Sequence, residues 1–270
     1  MKSLALSLAL VSLANTAAIA AVSYTTYGAT VSQNFDGLLT TGTANAWTND
    51  VTLAGWHLFR QPAAAPVAIA TYSTGTGSSN AGNFYSFGPA ANSDRALGGV
   101  ASGGAYFGSP TTGNVAGWIA VSLTNNTAIT LDTVRVGFDG EQWRDGGAPT
   151  PVAQTMVLQY GIGATFGAVT TWTAPGSSFN FSSPVFSNTG TGAAVDGNVA
   201  GLSAGRGGLI SGLAWNAGDT LWIRWVENND TGNDHGLALD NFTFTAVPEP
   251  SAGLLGLIAA AYLPLRRRRK

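Results

Sequence analysis

The feature that most limits the fold of this chain is a hydrophobic period of two. Apolar and polar residues alternate in one segment after another, and no long stretch after residue 21 shows the 3.6 period of an amphipathic helix until the carboxyl-terminal tail. In "VAGWIAVSL" the pattern places Val115, Ile119, Val121 and Leu123 on one face. In "LDTVRVGF", Val134, Val136 and Phe138 oppose Arg135. "QTMVLQYGIG" groups Met156, Leu158 and Tyr160, and "TLWIRWVE" sets Leu221, Ile223 and Trp225 against Trp222, Arg224 and Val226. In "HGLALDNFTF", Leu237 and Leu239 start in one phase and Phe242 and Phe244 finish in the other, which predicts a bulge close to Asp240. Polar, glycine-bearing loops separate the runs. The expectation is an all-β, antiparallel two-sheet sandwich with no more than a short helix or two between residues 30 and 245. Its core should include Val121, Val134, Val136, Phe138, Leu158, Ile223, Leu237 and Leu239.

The two ends read differently. Lys2 followed by "SLALSLALVSLA" and the small residues "NTAAIAA" predicts a signal helix over residues 1–20, cut near Ala20 and delivered to the Sec translocon. One domain is expected over 22–246. The loops "TGTGSSNAGN" (74–83) and "SNTGTGAAVDGNVAG" (187–201) are too short and too weakly charged to be linkers between domains. There are no cysteines, so an exported domain of this composition must be held by its core alone. Six arginines and no lysine stand against 13 carboxylates between the two ends, a balance of about −7. Such a surface repels phosphate backbones, which excludes nucleic acid as a natural partner, and it suits cations and neutral sugars.

In the tail, Pro248 and Pro250 keep the chain extended around Glu249, and residues 251–265 carry no charge. As a helix those 15 residues reach roughly 22 Å, short of a hydrocarbon core of roughly 30 Å. Arg266, Arg267, Arg268, Arg269 and Lys270 would hold the end on the cytoplasmic side. The order "VPEP", short apolar helix and arginine cluster over 247–270 resembles the PEP-CTERM sorting signal. That resemblance implies processing by an exosortase near Pro248–Pro250 after a transient inner-membrane stage through 251–265. It also implies delivery to the cell surface or an extracellular matrix. The other reading of the same residues is a simple tail anchor.

The scarce charges gather beside aromatics in "QNFDG", "NSDRALGG", "GFDGEQWRDGG" and "WVENNDTGNDHGLALDNF". Glu227, Asp230, Asp234 and Asp240 offer the hard oxygens that calcium takes, although the twelve-residue spacing of an EF-hand is absent. The alternative is an Asx-rich turn whose side chains cap their own backbone. The ending "HGLALDNFTF" and the opening "NFDG" resemble the last and first strands of jelly-roll modules in the carbohydrate-binding and MAM-like superfamilies. They also resemble a β-sandwich domain of secreted bacterial proteins with sorting tails. The resemblance implies a jelly-roll-like fold, adjacent first and last strands, and a structural calcium that brings Asp36 near Asp240.

Trp143 between Glu141 and Arg144 admits two readings. The ring could stack on a sugar while the charges bind its hydroxyls, or the group could be structural, with Arg144 paired to Asp139 or to a carboxylate of 227–240. His57 sits in an apolar strand-like run and reads as a satisfied core or edge histidine. His235 lies among carboxylates that favour its charged form. No nucleophile–base signature occurs, so the expectation is a non-enzymatic protein that binds or structures extracellular polysaccharide. The rival is a glycoside hydrolase or lyase, with Glu141 and Glu227 as a carboxylate pair.

Overall fold

The computed structural model describes residues 21–62, 65–187 and 189–247. The signal helix of 1–20, the sorting residues Pro248, Glu249 and Pro250, the apolar segment 251–265 and Arg266–Arg269 lie outside the described residues. Within them the strands are β1 (Val22–Tyr24), β2 (Thr30–Gln33), β3 (Asn45–Ala46), β4 (Trp56–Arg60), β5 (Val67–Ala68), β6 (Thr71–Gly75), β7 (Asn83–Phe87) and β8 (Ala96–Val100). They continue as β9 (Val115–Asn125), β10 (Val134–Asp145), β11 (Thr155–Ile162), β12 (Phe181–Ser182), β13 (Ala193–Ala194), β14 (Leu202–Ile210), β15 (Thr220–Asn228) and β16 (Gly236–Ala246). Among the described residues helix is limited to three-residue 3-10 turns at Ala105–Phe107, Phe166–Ala168 and Ser177–Phe179.

Two sheets form, one of seven strands and one of nine. From β8 onward successive long strands alternate between them. The nine-stranded sheet contains the order β8-β16-β10 with β14 beside β10, and the seven-stranded sheet contains β9-β15-β11-β12. The first strand of this set therefore lies beside the last, the ordering of a jelly roll. All pairings in that set are antiparallel. The strands before β8 extend the sheets, and here the antiparallel expectation needs correction: β1 runs parallel to β9, and β6 runs parallel to β7.

The inner faces meet as the alternation requires. All eight expected core residues are buried in one cluster. Its centre is aromatic: Trp56 and Trp225 stack at 5.8 Å, and Phe242 meets both edge-on. The phase flip in β16 is a bulge. Asp139 pairs with Asp240 but Gly137 pairs with Thr243, and Asn241 takes the left-handed conformation at φ 49°. That extra residue lets Leu239 and Phe242 both point inward. A second bulge corrects the reading of β9. The pairing steps from Gly117–Glu227 to Val115–Asn228, so Val115 packs on the outer face with Trp118 instead of joining Ile119, Val121 and Leu123 inside.

Candidate functional site

Trp143, Glu141 and Arg144 stand on the outer face of the nine-stranded sheet, where two loops close over them. Trp143, Glu141 and Arg144 are only 3%, 3% and 7% exposed. The Trp143 indole N–H donates to Glu141 Oε2 at 2.8 Å, and the ring lies parallel to Phe87 at 6.2 Å. The loop of 187–201 passes directly over it. A Cβ at Gly197 would collide with the indole, so glycine is what allows the approach. Arg144 donates from Nη1 to the carbonyls of Gly77 and Ser78, both at 3.0 Å, in the other glycine-rich loop. The structural reading of the group is the one that fits, with two corrections: the ring is not available to a sugar, and Arg144 Nη1 bonds backbone carbonyls instead of a carboxylate. Arg95 behaves alike, donating to Ser86 and to Pro89 O.

The proposed calcium ligands separate into two groups. Strand β2 does pair with β16, and Asp36 accepts the Arg95 backbone N–H at 3.1 Å. Burial pushes the Asp240 carboxyl up to about 8, and Glu141, Asp94 and Asp36 add to the shift. Asp240 Oδ1 is buried without a partner. Glu141 is raised to about 7, chiefly by burial. Glu227 belongs elsewhere, on the inner face of β15 opposite Gly99. Burial first, then Asp230 and Asp234, raise it to about 8, and burial raises Asp234 to about 7. Among the described residues no group of three or more acidic or histidine side chains is arranged to hold a metal. The five carboxylates are therefore not one site, and Glu141 and Glu227 are not a facing pair: one is outside the nine-stranded sheet and the other is between the sheets. His235 is also corrected. Burial lowers its pKa and outweighs Asp145 at 3.5 Å. His57 is fully buried, bonded through Nε2 to Ser122 Oγ at 3.0 Å and lowered by burial to about 4.

The opposite face, outside the seven-stranded sheet, is open. Here β9 presents Trp118, β15 presents Arg224 and β11 presents Gln159, whose backbone is in register with Arg224. The β11–β12 connection folds back over these strands. It is fixed by paired backbone bonds between Tyr160 and Thr173 and by the Trp222 indole N–H on Gly163 O at 3.0 Å. Gly161 has no room for a Cβ beneath Val169 and Thr171. The connection brings Phe166 onto Phe59 at 4.3 Å and sets Trp172, half-buried, beside Arg224. With Pro62, Pro66, Pro110 and Thr111 on the other side, Trp118, Phe166, Trp172 and Arg224 line a groove of about 720 Å³.

Arg224 is held among rings. Its guanidinium carbon is 3.8 Å from the Trp172 ring centroid, 5.0 Å from Trp118 and 5.7 Å from Phe166. Nε and Nη2 donate to Gln159 Oε1 at 2.9 and 2.6 Å. Burial lowers its pKa to about 10, which leaves it charged at neutral pH. No carboxylate of the described residues forms an ion pair with it, and none lines the groove. The Trp118 indole N–H, on the same groove, is buried without a partner. Only the placement of Arg224 on the outward phase of "TLWIRWVE" was legible in advance. Trp118, Phe166, Trp172 and Gln159 come from separate segments, with no shared spacing to mark them.

No protein-family model and no curated protein matches the sequence. Several solved structures are similar at a distance, two of them as follows. One is the N-terminal CBM22-1–CBM22-2 tandem domain of Paenibacillus barcinonensis Xyn10C, at TM-score 0.37 and 11% identity over 83% of this chain. The other is the arabinose-bound α-L-arabinofuranosidase MgGH51, at TM-score 0.33 and 11% identity over 83% of this chain. The chain spans 48% of the first and 29% of the second. At these scores neither bears on function, which has to be argued from the groove itself.

Proposed function

We propose that this chain is an exported, surface- or matrix-associated sandwich that binds polysaccharide in the groove outside its seven-stranded sheet and does no chemistry on it. The observation that carries this reading is the groove's lining. The half-buried Trp172 ring offers apolar surface to a sugar ring above a floor of buried Trp118 and Phe166, and Arg224, Gln61, Thr111 and Asn114 offer polar atoms beside it. The lack of a lining carboxylate supports binding over hydrolysis, because glycoside cleavage ordinarily uses two. The export route remains the sequence reading of residues 1–20 and 247–270, by Sec and then an exosortase. Calcium is retained only as a structural ion at the Asp36–Asp240 end. Hard oxygens and the unpartnered Asp240 Oδ1 are there, and backbone carbonyls would have to complete the shell.

The test is affinity electrophoresis of the full chain through gels containing single polysaccharides. Wild type is retarded by at least one of them, and Trp172→Ala loses at least about tenfold in affinity, the scale of a binding hot spot. Unchanged retardation of Trp172→Ala, with its melting temperature intact, would remove the groove from the function. Release of reducing ends from any polymer would favour the enzymatic alternative.

A further inference from the structure

We infer that the groove selects a saccharide carrying isolated carboxylates, a mostly neutral chain with spaced uronic acid units, and that Arg224 is the residue that reads the carboxylate. The inference rests on the groove being the binding site and adds the class of ligand it takes.

The argument begins with what Arg224 lacks. It is a cation in a molecule of about −7 between its ends, yet no acidic side chain of the described residues pairs with it. Its charge is offset only by ring faces and one amide oxygen. Gln159 Oε1 occupies the Nε–Nη2 edge of the guanidinium. Nη1 makes no hydrogen bond to the described residues, and with the second N–H of Nη2 it has the spacing to meet a carboxylate with two parallel bonds. The stack with Trp172 at 3.8 Å and the bonds to Gln159 hold the fork in a fixed orientation, so little freedom remains to be lost on binding.

Net charge then separates a sparse polyanion from a dense one. A chain with a carboxylate on every unit meets one cation and is repelled by the acidic surface beyond it. A chain with isolated carboxylates places one on Arg224 and a neutral ring on the half-buried Trp172. The groove has one arginine and several apolar faces, which is the ratio such a ligand presents.

The experiment compares three probes on the full chain by affinity electrophoresis. They are gellan, whose repeat carries a single glucuronate; carboxyl-reduced gellan, the neutral polymer of the same backbone; and polygalacturonate. Wild type should bind gellan at least about tenfold more tightly than the reduced polymer and more tightly than polygalacturonate. Arg224→Met, which keeps an apolar stem against the rings, should bind gellan and reduced gellan alike. Arg224→Lys, which keeps the charge and loses the fork, should retain only part of the preference. Both variants are read only with a melting temperature near wild type, and the lysine variant decides if the methionine variant does not fold. Equal wild-type binding to gellan and reduced gellan, lost in Trp172→Ala, overturns the inference and leaves the groove standing. No binding to gellan overturns the inference, and binding unaffected by Trp172→Ala overturns both.

Discussion

Each sheet carries on its outside a tryptophan beside a charged partner, and the two pairs are used in opposite ways. Outside the nine-stranded sheet, Trp143 with Glu141 and Arg144 lies under two glycine-rich loops, with the indole N–H spent on Glu141 and Arg144 Nη1 spent on loop carbonyls. Outside the seven-stranded sheet, Trp172 with Arg224 lines a groove, and one end of the guanidinium is unspent. The residue types are nearly the same. What differs is whether a loop lands on them, and a loop's landing place is a tertiary outcome.

The sharpest way to break this comparison is to truncate each tryptophan. Trp143→Ala empties a filled cluster of Tyr85, Phe87 and Val100 and strands the Glu141 carboxyl. The expected cost is about 3–5 kcal/mol, a fall in Tm of roughly 6–20 °C. Trp172→Ala should move Tm by only a few degrees, since its ring is half-exposed. Thermal melts of the two variants decide it; equal losses would mean that the two faces are alike.

The inner half of this picture was legible in the sequence and the outer half was not. Val134, Val136 and Phe138, or Leu221, Ile223 and Trp225, alternate because one face of each strand must be dry, and a one-residue slip would reverse all of them. The flip around Asp240 was readable for the same reason. The outer faces gave no such signal, because Trp118, Ala120, Trp222 and Val226 are also buried there and blur the period. The charges beside Trp143 in "GFDGEQWRDGG" pointed to the closed face. The open site took one residue from each of several segments. The β9 bulge at Val115 and the two parallel pairings left no mark in the pattern.

Acid sharpens the comparison from the closed side. Glu141 and Asp240 are raised to about 7 and 8, and Asp234 and Glu227 to about 7 and 8, all chiefly by burial. Their folded pKa values lie above the unfolded ones, so the folded state holds more protons in the window between. Stability from these groups is full below about pH 4 and is lost as pH rises through 7 to 8. His57, lowered to about 4, works in the other direction, losing stability as pH falls from about 6.5. Four groups against one, with His235 adding to the minority, give a Tm several degrees higher near pH 5.5 than near pH 8.5. Glu141→Gln should flatten that slope and Arg224→Met should not. A Tm that rises with pH would contradict the burial of these carboxyls without a cationic partner.

Calcium is the next smaller effect and belongs to the same side. If the ion joins Asp36 and Asp240, saturation at one hundred times Kd adds roughly 2.7 kcal/mol, or roughly 5–10 °C in Tm. The gain should vanish in EDTA and in Asp240→Asn. A wild-type Tm that EDTA leaves unchanged would reduce this end of the sandwich to its protonated carboxyls and Asx turns.

The most direct test of the two-face account is oxidative footprinting of the tryptophans, read by mass spectrometry with and without a retained polysaccharide. Trp172 should be modified in the free protein and protected in the bound one. Trp143, 3% exposed, should stay unmodified in both. Modification of native Trp143, or a Trp172 that reacts equally with and without ligand, would contradict the assignment of one face to the fold and the other to binding.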